Sequence, residues 1–215
     1  MADNPNPLLL VDQRIAQLFA LVREALAGAT ESLLALEPET GQAIVDADRA
    51  VDELTSEVDD IIWKQIDTGS ASTDELRHFV SVLLIVPELE RSADLAEHIA
   101  QRAVRSLGAE MTPVSRGLVQ RMSEVALEMW STAADAYADR TSRAVALDQA
   151  DEELDILHER LTHEIGASEM ANPVTTEVTL VARFYERLGD HAVNLARRIA
   201  TLPAVQASVH PRPED

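Results

Sequence analysis

One short pattern occurs twice in this chain, and it constrains the fold more than any other feature. Residues 87–104 read PELERSADLAEHIAQRAV, and residues 182–199 read ARFYERLGDHAVNLARRI. Both contain Glu-Arg-x-x-Asp-x-Ala-x-x-x-Ala, in which Glu and Asp, and then Ala and Ala, stand one helical turn apart. Glu90, Arg91, Asp94, Ala96, Ala100 and Arg102 match Glu186, Arg187, Asp190, Ala192, Ala196 and Arg198. A second match lies upstream: DRAVDEL (48–54) against DEELDIL (151–157) pairs Asp48 with Asp151 and Asp52 with Asp155. Similarity at a spacing of about a hundred residues means one arrangement built twice.

The periodicity says what the repeated unit is. Ile15, Leu18, Phe19, Val22 and Leu26 follow the helical period and predict a helix from Leu8 to Leu36, stopped by Pro38. Val51, Leu54, Val58, Ile61 and Ile62 predict a second over about 39–67, with Gly69 as its stop. Thr73 reads as the cap of a third helix that reaches about Leu107 and carries Pro87, expected to kink it. Pro113 opens a fourth, to about Asp139. A fifth covers about 142–167 and a sixth about 174–201, closed by Pro203. The reading is an all-α fold of six long helices, a tandem repeat of two antiparallel three-helix bundles, over 8–107 and 113–202. Residues 1–7 and 203–215 read as flexible tails. Whether the bundles share one core or sit end to end is open at this level. Trp63, Trp130 and Phe19 read as packing residues.

Composition narrows the function. The net charge is −20, which repels nucleic acid and anionic membranes and attracts cations or a basic partner face. There is no cysteine, so thiol chemistry and zinc-thiolate sites are excluded. FVSVLLIVP is too short to span a bilayer, and the first residues lack a secretory pattern, so a cytoplasmic protein without direct membrane insertion is expected. No phosphate-cradling glycine loop or nucleophile elbow occurs.

The repeated acids are the candidate site. Like charges four apart cost a helix about 0.2–0.5 kcal/mol per pair, and a cation between them reverses that sign. With 38 acids in the chain, about six or seven such pairs arise by chance, so only their matched positions are informative. Taking Val51 or Leu154 as the core direction, Asp48 and Asp151 lie about 60° to one side, and Asp52 and Asp155 about 100° to the same side. A neighbouring helix bearing Glu90 and Asp94, or Glu186 and Asp190, would meet them at a seam. Such oxygen clusters suit Mg, Ca, Mn or iron. The alternative is a solvated or salt-bridged face, with Arg91 and Arg187 as partners. A ferritin-type di-iron site needs Glu-x-x-His in the repeat, where Ala93 and Gly189 stand instead. Glu75-x-x-His78 lies about 22 Å before Glu90 along a helix. His98 and His191 are not part of the repeat.

Two Glu-Arg-x-x-Asp helices, each preceded by an Asp-x-x-x-Asp helix in a tandem three-helix repeat, resemble the PhoU family of phosphate-signalling regulators. ERLGD (186–190) is close to the family's hallmark; ERSAD (90–94) lacks its glycine. The resemblance covers about residues 8–202. It implies multinuclear metal clusters of iron, zinc or another divalent metal, held by Glu90, Asp94, Asp48 and Asp52 in the first half. Glu186, Asp190, Asp151 and Asp155 would hold the second. It further implies a non-enzymatic negative regulator and a homodimer, linking the ATPase subunit of a phosphate ABC transporter to a phosphate-sensing histidine kinase at the inner face of the membrane. Two other readings stay open: a metal-dependent helical-bundle enzyme, and a metal-free acidic interaction module.

Overall fold

The computed structural model describes residues 6–200 and residue 202; the rest of the expected tails lies outside the described residues. Helix α1 (Pro7–Ala35) begins where Asn6 Oδ1 accepts the Leu8 N–H at 3.0 Å and Pro7 sets the first turn, so these two residues belong to the helix start and not to a tail. Its buried face, Val11, Ile15, Leu18, Phe19, Val22, Leu26, Ala29 and Leu33, keeps the three-and-four spacing read from sequence.

The expected second helix is two: α2 (Pro38–Ala47) and α3 (Arg49–Thr68). Around Asp48 the hydrogen bonds tighten to the three-residue pattern, Asp48 N–H to the Val45 carbonyl at 3.4 Å and Val51 N–H to the Asp48 carbonyl at 2.9 Å. Periodicity alone misses such a break, because Asp48 keeps right-handed helical angles. Gly69, at φ +62°, ends α3 as expected.

Helix α4 (Thr73–Val104) is capped by Ser72, one residue earlier than expected. Glu75 N–H bonds Ser72 Oγ at 3.3 Å and Ser72 N–H bonds Glu75 Oε2 at 2.7 Å, a reciprocal cap. The helix continues through Pro87 as one element. It stops at Val104, short of Leu107, because Ser106 turns left-handed at φ 61°; the single turn α5 (Leu107–Glu110) follows. Thr112 and Pro113 then start α6 (Pro113–Asp139), followed by α7 (Ala144–Ala167) and α8 (Asn172–Ile199).

Helices α1, α4, α8 and α6 are neighbours in a closed ring, each packing on the next. Helix α3 lies against α1 and α4, and α7 against α6 and α8. The two three-helix units therefore sit side by side and bury one continuous apolar core. The repeated alanines Ala96, Ala100, Ala192 and Ala196 are all fully buried, so small side chains recur at matched core positions of α4 and α8.

Trp130 and Phe19 are core residues as expected, with ring centroids 6.1 Å apart. Trp63 is not: it is 54% exposed. It stands about 100° around α3 from the buried Ile62, outside the stripe of Val51, Val58 and Ile62 that faces the core. Among the described residues no helix is long and apolar enough to cross a membrane.

Candidate metal centres and the interface between the halves

The fold brings each expected quartet of acids together at a helix–helix seam. In the first half Asp48 is pushed from 3.8 up to about 6, first by burial and then by the charges of Glu97, Asp94, Asp52 and Glu90. Glu90 is also raised, by burial and by Asp94 and Asp52, against the opposing charge of Arg91. In the second half Asp151 is pushed from 3.8 up to about 6, by burial and then by Asp155, Asp190, Glu186 and Asp148. Glu186 is raised by burial, and there Arg183 opposes while Asp190 adds. Helix α3 faces α4, and α7 faces α8, through the acids that the repeat singled out.

In the second half one helix, α7, packs along α8, whereas in the first half α2 and α3 share the packing on α4. At Gly189 an added Cβ would stand 2.7 Å from Leu154 Cδ2 and 2.8 Å from Asp151 Oδ1, so glycine lets these two side-chain ends rest against the α8 backbone, and a larger residue would make them shift. Its counterpart Ala93 carries that Cβ. Replacing Gly189 by Leu is expected to cost about 1–3 kcal/mol, read by chemical denaturation. Gly117→Ala, where an added Cβ meets nothing within 4 Å, is expected to be neutral or stabilising.

Oxygen donors from two facing helices suit a hard or borderline divalent cation. One oxygen is already poised: Glu186 Oε2 is buried without a hydrogen-bond partner among the described residues, while Oε1 pairs with Arg183. The fit is incomplete as it stands, since among the described residues no group of three His, Cys, Asp or Glu side chains is arranged to hold an ion. Binding would require carboxylate rotations, including release of Glu186 from Arg183. Without cations the seams carry electrostatic strain. A carboxyl raised by folding adds stability below its ordinary range and loses it as pH rises through about 6. Asp48→Asn and Asp151→Asn are therefore expected to raise stability at pH 7 in chelator, by up to about 1 kcal/mol each on these part-exposed sites, read by thermal melting.

Sequence reasoning missed several members of these clusters. Glu97, Asp59 and Asp148 contribute to the fields at Asp48, Glu90 and Asp151. Their signal was register: each stands three or seven residues from a motif acid, on the same helix face. It also missed what the repeated arginines do. Arg102 of α4 pairs with Glu177 of α8 at 2.9 Å, and Arg198 of α8 reaches back to Glu88 of α4 at 3.4 Å. Between them Ser92 Oγ gives its proton to the Glu88 carbonyl at 2.6 Å, which leaves it to accept from His191 Nδ1 at 2.9 Å. These contacts run antiparallel along α4 and α8 and join the halves. Arg102 and Arg198 recur because they serve opposite ends of a pseudo-symmetric interface. Arg91 lies 3.9 Å from Glu88, so it too leans toward that interface.

His78, set aside as too distant from Glu90, belongs to a third cluster. Its Nε2 lies 3.0 Å from Asp12 Oδ1, which also accepts from Tyr137 at 2.6 Å and Arg140 at 2.7 Å. Burial raises the Asp12 carboxyl, but the bonds from His78, Arg140 and Tyr137 outweigh it and hold the group at about 2. This network ties α1, α4 and α6 together at the ring's other side.

Comparison with known proteins agrees with this architecture. The family model for the PhoU domain matches residues 15–103 and 119–199, one copy in each half. The phosphate-specific transport system accessory protein PhoU homolog of Rhizobium meliloti is 26% identical over 214 residues, covering 97% of this chain and 90% of its own. That of Caulobacter vibrioides is 32% identical over 164 residues, covering 74% of this chain and 71% of its own. The crystal structure of PhoU from Pseudomonas aeruginosa superposes with a TM-score of 0.83 at 23% identity, over 91% of this chain and 96% of that one. With a domain match in both halves and the duplicated acidic motif on matched seams, the chain belongs to the PhoU family.

Proposed function

We propose that this protein is a non-enzymatic regulator of phosphate uptake and phosphate-starvation signalling. It acts as an adaptor between the ATPase subunit of a phosphate ABC transporter and the transporter's partner sensor histidine kinase, and it holds the starvation response off when phosphate is plentiful. Its relatives are named as accessory proteins of phosphate-specific transport systems, which supports the placement beside a transporter. The single observation that carries the mechanism is the pair of carboxylate seams at matched positions, Asp48, Asp52, Glu90 and Asp94 on one and Asp151, Asp155, Glu186 and Asp190 on the other.

In this reading iron, zinc or another divalent cation neutralises each seam and ties α3 to α4 and α7 to α8. The residues' own part is to set how far apart those helices stand. Neutralised and closed, a seam presents one surface to a partner; charged and repelling, another. The protein works as a homodimer at the inner face of the membrane, held there by its partners.

The test is a binding titration of the transporter ATPase and the kinase's cytoplasmic part, both from the same genome, with and without divalent cation. Saturable binding of micromolar strength or better to either is expected. Weakening by Glu186→Gln together with Asp190→Asn, only when cation is present, would tie binding to the second seam. A folded protein that binds neither partner in either condition would overturn the proposal.

A further inference from the structure

The first half presents an exposed apolar strip that neither the core nor the acidic seam uses. On α4, Leu76, Val80 and Leu84 stand at four-residue intervals and are 37%, 53% and 51% exposed. Leu83 is partly buried beside them. On α3, Trp63 occupies the flank that carries Asp52 and Asp59. Both acids act on Glu90 of α4, so this flank of α3 borders α4. Trp63 is one turn nearer the connecting hairpin than Asp59, which sets it along the N-terminal half of α4, beside the Leu76–Leu84 line.

The duplicated fold does not require this strip. By the offsets that align the motifs, the second half has Gly166 for Trp63, Asn172 for Leu76, Thr176 for Val80 and Leu180 for Leu84. Three of four positions that are apolar in one half are polar or bare in the other, on the same scaffold. An exposed Trp beside a line of aliphatic residues is costly to leave in water and suits an interface anchor.

Charge decides the occupant. Acids border the strip: Asp52, Asp59, Asp60 and Asp67 on α3, and Asp74 and Glu90 on α4. The cations there are Lys64, Arg77 and Arg91; Arg77 is already bonded to Asp74 at 3.0 Å and Arg91 lies 3.9 Å from Glu88, so the acids outnumber them. A second copy would bring the same acids face to face, and an anionic membrane would be repelled. A helix with an apolar stripe and basic flanks complements both features, in the helix-in-groove mode. We propose that the α3–α4 hairpin docks an amphipathic, basic-flanked helix of a partner protein through Trp63, Leu76, Val80 and Leu84. This stands on the surface alone and does not depend on the phosphate reading.

The chain provides its own reporter, because its other tryptophan, Trp130, is fully buried. The full-length protein is titrated at near-physiological salt with the Leu/Lys helical peptide LKKLLKLLKKLLKL. The expected result is a saturable blue shift of Trp63 emission with protection from acrylamide, at one peptide per chain. Val80→Glu and Leu84→Glu are each expected to weaken binding by about tenfold or more, with folding checked by circular dichroism. Ile156→Glu, at an exposed apolar site on α7, is expected to leave it unchanged. No blue shift, binding indifferent to Val80→Glu and Leu84→Glu, or equal displacement by an oligolysine of the same charge would overturn the proposal. So would a concentration-dependent blue shift without peptide, which assigns the strip to a second copy. Stronger partition into phosphatidylcholine vesicles than onto the peptide would assign it to lipid and likewise overturn it.

Discussion

Asp12→Ala lowers folding stability by about 3–5 kcal/mol, one of the two largest single-residue effects expected in this protein. The carboxylate takes three bonds from α4 and α6, and two of the donors, His78 and Tyr137, are buried. Truncation leaves the Arg140 charge and two donors facing a void with no acceptor. The cost is the desolvation of those groups, not the worth of one bond. Asp12→Asn keeps the shape and one acceptor, so it falls between. Urea denaturation of the two variants separates lost charge from lost packing. The network also sets the acid limb of the stability curve. A carboxyl held at about 2 contributes stability above its ordinary range near 4, and that contribution is lost as pH falls toward 2. The wild-type protein therefore weakens over that window, and Asp12→Asn flattens the fall. The seam acids Asp48 and Asp151 act with the opposite sign and at higher pH.

Trp130→Ala costs about 3–5 kcal/mol as well, through a cavity at the centre of the four-helix ring. The indole is fully buried, packs on Phe19, and its Nε1–H donates to the Leu188 carbonyl at 3.2 Å. Leu188 precedes Gly189 in the second acidic motif, so Trp130 is a support from α6 that holds α8 in register against α7. Trp130→Phe refills most of the space, so it costs less than Trp130→Ala: a smaller void plus the lost hydrogen bond, at about 1 kcal/mol for the bond itself. If cations bind the second seam as proposed and the motif depends on that support, Trp130→Ala also reduces the rise in melting temperature on adding the cation. A full rise in a destabilised Trp130→Ala would show that the seam holds its register without the indole.

Local order was legible in the sequence because it is written in short-range terms. The three-and-four spacing of Ile15, Leu18, Phe19, Val22 and Leu26 states which face of α1 is buried. Gly69 and Pro113 mark helix ends by backbone chemistry that no neighbour alters. The duplication was legible because two copies of a motif preserve one register, and the acids so matched do meet across their seams. The break at Asp48 was not legible, since its angles stay helical and only the hydrogen-bond spacing changes. The exposure of Trp63 was legible but misread: the period that turns Val51, Val58 and Ile62 inward sets residue 63 about 100° from Ile62, and residue type was followed in place of helical phase.

The sequence by itself determined that this chain is a twice-built helical unit with carboxylates on equivalent faces, because periodicity and repetition are properties of residues near one another along the chain. Only the tertiary structure decided that the two units share one core, that Arg102 and Arg198 lock α4 to α8, and that Asp12, His78, Tyr137 and Arg140 form one network. Those pairings join residues that nothing in the sequence relates. They depend on how helices cross, and crossing is fixed by the fit of whole faces: Gly189 against Leu154 and Asp151, and Ser92 against His191 between α4 and α8.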